Sequence, residues 1–131
     1  MLFPKGRILC TEDDPDTRDL LSYVLSDAGY EVICTDDANG AMALARQQTI
    51  DLILVDSWLP DRSGTELTRS LRKMDVKTPI LFYSGAGHDS DKEAAFSAGA
   101  QAYLVKPVLN EDLINAVSRL IAESQIAVTS H

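Results

Sequence analysis

Leu52-Ile53-Leu54-Val55-Asp56 is a run of four apolar residues followed directly by a carboxylate. A continuous apolar run of this length is typical of a strand covered on both faces, as in a parallel sheet. Four further short runs of similar character occur along the chain, and all five are predicted to be strands. The predicted strands are Arg7 to Thr11, Glu31 to Thr35, Asp51 to Asp56, Pro79 to Ser84 and Ala102 to Lys106. The second is flanked by charged residues, so we expect it at an edge of the sheet.

Segments with helical periodicity separate these strands. In the first segment, Asp14 is the expected N-cap, Pro15 opens the helix and Gly29 ends it. The later segments are predicted to be helices over 39–48, 65–74, 89–98 and 109–122. Strand–helix alternation repeated five times predicts an α/β fold, in which helices cover an open parallel sheet through right-handed crossovers.

Length and composition predict one globular domain. The 131 residues are 45% hydrophobic, and no apolar run approaches the ~20 residues of a membrane span. Residues 1–123 are assigned to one domain and 124–131 to a C-terminal tail or the start of a linker. Residues 1–6 lack a hydrophobic signal segment, and Cys10 and Cys34 are expected to be buried reduced thiols, so a cytoplasmic location is predicted. The net charge of −8 argues against direct binding of nucleic acid or of a membrane surface.

Polar residues follow four of the predicted strands. They are Glu12, Asp13 and Asp14 after the first strand, Asp56 at the end of the third, Ser84 at the end of the fourth and Lys106 at the end of the fifth. Open parallel sheets bind ligands at the carboxyl ends of their strands. Clustered carboxylates repel each other unless a cation neutralises them, and oxygen ligands suit a hard ion such as Mg²⁺. A lysine and a hydroxyl beside them can pair with phosphoryl oxygens while a carboxylate attacks phosphorus.

The chain resembles the receiver domains of two-component response regulators over residues 5–123. The matching segments are Ile8-Leu9 before Glu12-Asp13, residues 52–56 followed by Leu59-Pro60-Asp61 and Gly64, Pro79-Ile80 before Ser84-Gly85-Ala86, Gly99-Ala100, and Tyr103-Leu104-Val105-Lys106-Pro107. This resemblance implies a flavodoxin-like, doubly wound (βα)5 fold with five parallel strands in the order 2-1-3-4-5. It also implies a regulatory phosphoacceptor that takes part only in its own phosphorylation and dephosphorylation, and is otherwise not an enzyme.

The resemblance further implies how the acidic residues are used. Asp56 would accept the phosphoryl group. Asp13, Asp56 and the main-chain carbonyl of Trp58 would bind Mg²⁺, for which Mn²⁺ can substitute, and Glu12 would act through a metal-bound water. Trp58 is larger than the usual residue at its position, and its indole is expected beside the pocket.

Other residues are implied to bind the phosphoryl group or to respond to it. Lys106 and Ser84 would contact the phosphoryl group, and Ser84 would move on activation. Tyr103 would switch between outward and inward rotamers, with a purely structural aromatic residue as the alternative. The bond before Pro107 is expected to be cis, and Gly64 is expected to be structural.

The implied partners are a sensor histidine kinase or a histidine phosphotransfer protein as donor, a downstream effector or output domain, and a second copy of the chain in a phosphorylation-dependent homodimer. Phosphorylation would shift an inactive–active equilibrium and rework the surface of the fourth helix, fifth strand and fifth helix.

Two other functions are compatible with the architecture. A flavodoxin-like cofactor binder would need a phosphate-binding loop rich in Gly, Ser or Thr after the first strand, where this chain has acids that would repel the phosphate. An aspartyl-phosphate hydrolase would need a second acid two residues after its nucleophile, where this chain has Trp58.

Overall fold

The computed structural model of the protein describes residues 4–129, within which five strands alternate with five helices. In chain order the elements are β1 (Arg7–Thr11), α1 (Pro15–Asp27), β2 (Glu31–Thr35), α2 (Ala38–Gln47), β3 (Leu52–Val55), α3 (Gly64–Lys73), β4 (Ile80–Ser84), α4 (Asp89–Ala98), β5 (Ala102–Val105) and α5 (Asn110–Thr129). All strand pairs are parallel and the strand order is β2-β1-β3-β4-β5. The predicted fold class and strand order are therefore confirmed, as is the position of β2 at an edge.

The apolar strands are continuous because both faces of the sheet are covered. Ile8 and Leu9 are neighbours in β1, and both are 0% exposed. Ile8 packs into a core with Leu25 of α1 and Val117 of α5, whereas Leu9 packs into a second core with Leu67 of α3. Side chains alternate along a strand, so successive apolar residues supply two separate cores. This two-sided packing holds the ends of β1 and β3 side by side.

The start of α1 follows the sequence expectation in detail. Asp14 caps the helix, and its carboxylate accepts a hydrogen bond of 3.0 Å from the backbone N–H of Thr17. Pro15 occupies the first turn, and Gly29 follows the helix with φ of 103°. Asp14 therefore stabilises the start of α1, although it is adjacent in sequence to the acidic residues of the predicted site.

The C-terminal helix is longer than predicted. We expected a helix over 109–122 and an unpatterned tail after it, but α5 continues to Thr129. The apolar periodicity ends at Ile121, and Ile126 is 66% exposed. No Gly or Pro follows residue 109, and Ala122, Glu123 and Gln125 favour helix, so the backbone continues as helix beyond Ile121. Ser130 and His131 lie outside the described residues, as do residues 1–3.

The expectation for the two cysteines is half right. Cys10 is buried at 0% exposure, but Cys34, its partner in the parallel register, is exposed. Because β2 has a neighbouring strand on one side only, its residues are less covered than those of β1. An apolar sequence run does not distinguish these two environments.

The predicted division into a domain of residues 1–123 and a C-terminal tail stays a prediction.

Arg72 joins the end of α3 to two loops at the amino edge of the sheet. Its guanidinium donates to the carbonyls of Val76 and Thr78 at 2.8 Å each and to the carbonyl of Gly99 at 2.8 and 3.1 Å. A further bond of 2.8 Å reaches the side-chain oxygen of Gln101. One half-buried cation thus satisfies carbonyls that the turns leave unpaired.

We expect Arg72→Ala to lower the free energy of unfolding by about 2–3 kcal/mol, because it leaves several carbonyls without their charged donor. Arg69→Ala is the matched control, since Arg69 is an exposed arginine on the same helix and its loss should cost less than about 0.5 kcal/mol. Urea denaturation followed by circular dichroism measures both. Equal effects of the two substitutions would contradict the assignment.

Candidate functional site

The predicted site residues lie together at the carboxyl edge of the sheet. Glu12 and Asp13 follow β1, Asp56 follows β3, Ser84 ends β4 and Lys106 follows β5. The strand β1 pairs with both β2 and β3, so the chain reverses its direction of winding there. The acids therefore stand at the topological switch point, where open α/β sheets bind ligands.

Three carboxylates form a compact cluster. One ligand oxygen from each of Glu12, Asp13 and Asp56 lies within 4.8 Å of the others. Glu12 is 2% exposed, Asp13 is exposed, and the side chain of Asp56 is 14% exposed. An all-oxygen set of this kind fits a hard divalent cation that keeps some of its waters, as Mg²⁺ does. The exposed Asp13 leaves the cluster open to solvent on one side.

Lys106 supplies the positive charge that faces this cluster. Its Nζ lies 2.8 Å from Oε1 of Glu12 and 3.9 Å from Oδ1 of Asp56. It also lies 5.1 Å from the centre of the Tyr83 ring, within the range of a cation–π contact. Burial opposes the charge of the ammonium, but the bond to Glu12 and the nearby Asp56 outweigh it and raise the pKa of Lys106. The lysine is therefore fully charged at neutral pH.

Asp56 has an unusual affinity for protons. Its pKa is raised to about 6, first because burial penalises the carboxylate and second because Glu12 repels it. Lys106 and the backbone N–H of Ser57, which donates to Oδ1 at 2.9 Å, act in the opposite direction without cancelling the shift. A cation bound among the acids would favour the charged form that a nucleophile needs.

The side chains of Ser84 and Tyr103 both form hydrogen bonds with Ala86, in the loop after β4. Ser84 is 1% exposed, and its hydroxyl accepts a hydrogen bond of 3.1 Å from the N–H of Ala86. The hydroxyl of Tyr103 donates to the carbonyl of the same Ala86. The half-buried Tyr103 ring stacks on Phe82, with centroids 5.4 Å apart and planes 10° from parallel. The two residues are thus connected through one loop residue.

The loop after β3 carries Trp58 and Asp61, and Gly64 begins α3. The Trp58 side chain is 69% exposed, so most of its indole lies in solvent. A Cβ added at Gly64 would lie 2.3 Å from the backbone oxygen of Asp56, so only glycine allows α3 to start this close to Asp56. The peptide bond between Lys106 and Pro107 is cis, as expected.

Two residues with clear contacts were not assigned a role from the sequence. The Asp61 carboxylate accepts the N–H groups of Ala38 and Asn39 at 2.9 and 3.0 Å, and so ties the loop after β3 to the start of α2. The Ser57 hydroxyl lies 3.2 Å from the hydroxyl of Tyr103. Asp61 lies in the Leu59-Pro60-Asp61 segment and Ser57 is adjacent to Asp56, but the sequence position of neither residue indicates which residue it contacts.

The doubly wound sheet and the acid cluster with its lysine define a receiver-type α/β domain. The family model described as "Response regulator receiver domain" matches residues 8–118. The chain belongs to this family. No helix among residues 4–129 is long and apolar enough to cross a membrane.

Curated relatives include the cell cycle transcriptional regulator CtrA of Caulobacter vibrioides, 33% identical over 119 residues that cover 91% of this chain and 52% of the relative. The cell cycle response regulator CtrA of Brucella ovis is 34% identical over 119 residues, which are 91% of this chain and 51% of the relative. The chain therefore spans about half the length of these relatives.

Similar solved structures are receiver domains. A CheY-like receiver domain protein from Methanospirillum hungatei JF-1 superposes with a TM-score of 0.88 at 30% identity, over 93% of this chain and 98% of the other. The receiver domain of a sensor histidine kinase from Pseudomonas aeruginosa PAO1 has a TM-score of 0.83 at 30% identity, over 89% and 98%. That neighbour carries a magnesium ion coordinated in its active site cleft.

We expect Asp56→Asn to stabilise the metal-free protein at pH 8 by about 1–2 kcal/mol and to have no stabilising effect near pH 4. The reason is the sign of the pKa shift: a carboxyl raised from 3.8 to about 6 contributes stability while it is protonated, and this is lost as the pH rises through about 6. Denaturant unfolding in a chelating buffer measures the difference. A stabilisation that is the same at both pH values would contradict the shift.

Proposed function

We propose that this chain is a Mg²⁺-dependent phosphoryl-accepting switch with Asp56 as its acceptor. The observation that carries the proposal is the cluster of Glu12, Asp13 and Asp56 within 4.8 Å, faced by the Lys106 ammonium. The oxygen donors suit a divalent cation. Once Mg²⁺ neutralises the carboxylates, the Lys106 ammonium would be free to pair with a phosphoryl oxygen. Membership of the receiver family supports the same chemistry.

The residues that would hold the ion are Asp13 and Asp56 directly, the main-chain carbonyl of Trp58, and Glu12 through a water. Mn²⁺ would substitute, since it accepts the same oxygen ligands. When bound, the ion would neutralise negative charge on the carboxylates and on the phosphoryl oxygens. The magnesium of the Pseudomonas neighbour supports this choice of metal.

The transfer would use Asp56 as nucleophile. One carboxylate oxygen forms a bond to the phosphorus of a phosphohistidine whose other ring nitrogen is protonated. The phosphorus–nitrogen bond breaks and its electron pair stays on nitrogen, so the leaving group is a neutral imidazole. The product is an aspartyl phosphate. Water later attacks that phosphorus, which returns the Asp56 carboxylate and inorganic phosphate. The domain would therefore regulate by its transient state and would not turn over other substrates.

Lys106 and Ser84 would contact the transferred group. Lys106 Nζ already lies 3.9 Å from Asp56 Oδ1, so a small movement away from Glu12 would bring it to a phosphoryl oxygen. The hydroxyl hydrogen of Ser84 is available to donate, because the bond with Ala86 uses Ser84 as the acceptor. A change at Ser84 would reach Tyr103 through Ala86 and alter the surface of α4, β5 and α5.

The donor would be a sensor histidine kinase or a histidine phosphotransfer protein, and the signal would pass to a downstream effector or output domain. The names of the curated relatives, which are transcriptional and response regulators, support an output of this kind. A phosphorylation-dependent homodimer stays a prediction.

Acetyl phosphate with Mg²⁺ is expected to add one phosphoryl group to the intact protein, because a small donor needs only the acceptor pocket. Asp56→Asn should abolish the added mass, and Lys106→Ala should reduce the rate strongly. Asp14→Asn is the matched control, since it keeps the helix cap and lies outside the cluster. Intact-mass spectrometry measures the product. Labelling that survives in Asp56→Asn, or that needs no metal, would overturn the proposal.

Mg²⁺ titration is expected to change the fluorescence of Trp58, the single tryptophan of the chain, because its own carbonyl would bind the ion. Asp13→Asn should weaken the apparent affinity by about tenfold or more, at least the loss typical of groups that only support metal ligands. Asp14→Asn should leave the affinity unchanged. Equal Mg²⁺ affinities in wild type and Asp13→Asn would rule out Asp13 as a ligand.

A further inference from the structure

Ser57 stands between the two functional parts of the loop after β3. It follows Asp56, the proposed acceptor, and precedes Trp58, whose carbonyl is a proposed metal ligand. Its backbone N–H donates to Oδ1 of Asp56 at 2.9 Å. Its hydroxyl lies 3.2 Å from the hydroxyl of Tyr103, 46 positions further along the chain. One residue therefore contacts both the acceptor and the aromatic ring on β5.

The direction of the hydrogen bond between Ser57 and Tyr103 follows from a count of hydrogens. A tyrosine hydroxyl has one hydrogen, and Tyr103 gives it to the carbonyl of Ala86. The Ser57 hydroxyl must then be the donor, and the Tyr103 oxygen accepts from it. Both bonding capacities of the Tyr103 hydroxyl are used by the protein, with Ser57 on one side and Ala86 on the other.

These bonds keep Tyr103 turned into the domain. The ring is half-buried and stacked on Phe82, and its hydroxyl is held from two loops. A rotation of the ring into solvent would break both hydrogen bonds and the stacking contact. In Ser57→Ala, the hydrogen bond to Ala86 would be the remaining one of these two bonds to the Tyr103 hydroxyl.

We propose that Ser57 is a positioning residue that holds Tyr103 in its half-buried position and transmits the state of Asp56 to it. This inference rests on the proposed function of Asp56 only in its second part. Phosphorylation of Asp56 would weaken the negative charge to which the Ser57 N–H donates, and a cation held by the Trp58 carbonyl would draw on the other side of Ser57. Each event would shift Ser57, the first through its backbone N–H and the second through its peptide bond to Trp58. The Ser57 hydroxyl would pass this shift to Tyr103.

The first experiment uses the metal-free protein labelled with 3-fluorotyrosine. The Tyr103 signal, assigned by its loss in Tyr103→Phe, is expected to be shielded from a soluble gadolinium chelate. Ser57→Ala should shift the equilibrium toward the solvent-facing ring by about fivefold, the effect of one net hydrogen bond, and so increase the broadening of that signal. Ser57→Thr, which keeps a hydroxyl, should restore the shielding.

Ser118→Ala is the matched control, because Ser118 Oγ bonds another tyrosine hydroxyl, that of Tyr30, at 2.7 Å. It should perturb the Tyr30 signal and leave Tyr103 unchanged. A Tyr103 signal that is equally shielded in wild type and Ser57→Ala, or that moves equally in Ser118→Ala, overturns the holding role of Ser57.

The second experiment adds Mg²⁺ and beryllofluoride. Its beryllium, tetrahedral when bound to an Asp56 oxygen, imitates the phosphorus of a phosphoryl group, and its fluorides imitate the phosphoryl oxygens. At saturation, the change in the Tyr103 fluorine shift is expected to be at least halved in Ser57→Ala compared with wild type. An unreduced change overturns the transmitting role. Failure of beryllofluoride to bind wild type contradicts the proposed function itself, and the metal-free experiment still decides whether Ser57 holds Tyr103.

Discussion

Mutual repulsion among Glu12, Asp13 and Asp56 is the constraint on which the rest of this domain depends. Their oxygens lie within 4.8 Å of one another, and two of the three side chains are largely removed from water. Burial, and after it repulsion by Glu12, raise the pKa of Asp56 to about 6, and the nearby Lys106 acts in the opposite direction without cancelling the shift. We propose that this negative charge is what would attract a divalent cation.

Holding these acids together against their repulsion requires a rigid support. The sheet supplies it, because β1 and β3 pair in register and each of their faces is packed into a separate apolar core. Close approach of α3 to Asp56 depends on Gly64, where a side chain would meet the Asp56 carbonyl. The Asp61 carboxylate then fastens the same loop to the start of α2. Stability built into the core is thus used to maintain an unfavourable charge arrangement at the edge.

Asp56 is connected to more distant surfaces by a short series of hydrogen bonds. Asp56, Ser57, Tyr103 and Ala86 form one continuous path, and Ser84 joins it through the N–H of Ala86. Tyr103 lies on β5, an edge strand, so a change of its position reaches the outside of the domain directly. We propose that a local change of charge at Asp56 alters the surface along this path without rearranging the core.

The sequence by itself determined the fold class and the position of the acids, Ser84 and Lys106 at one edge, because apolar periodicity and strand ends are local properties of the chain. Tertiary structure alone decided the pairing of Lys106 with Glu12, the exposure of Cys34, the extension of α5 to Thr129 and the contact of Ser57 with Tyr103. These features depend on which residues meet across long sequence separations or on how fully one element covers another. A one-dimensional pattern contains neither distance nor coverage, and so it could not supply them.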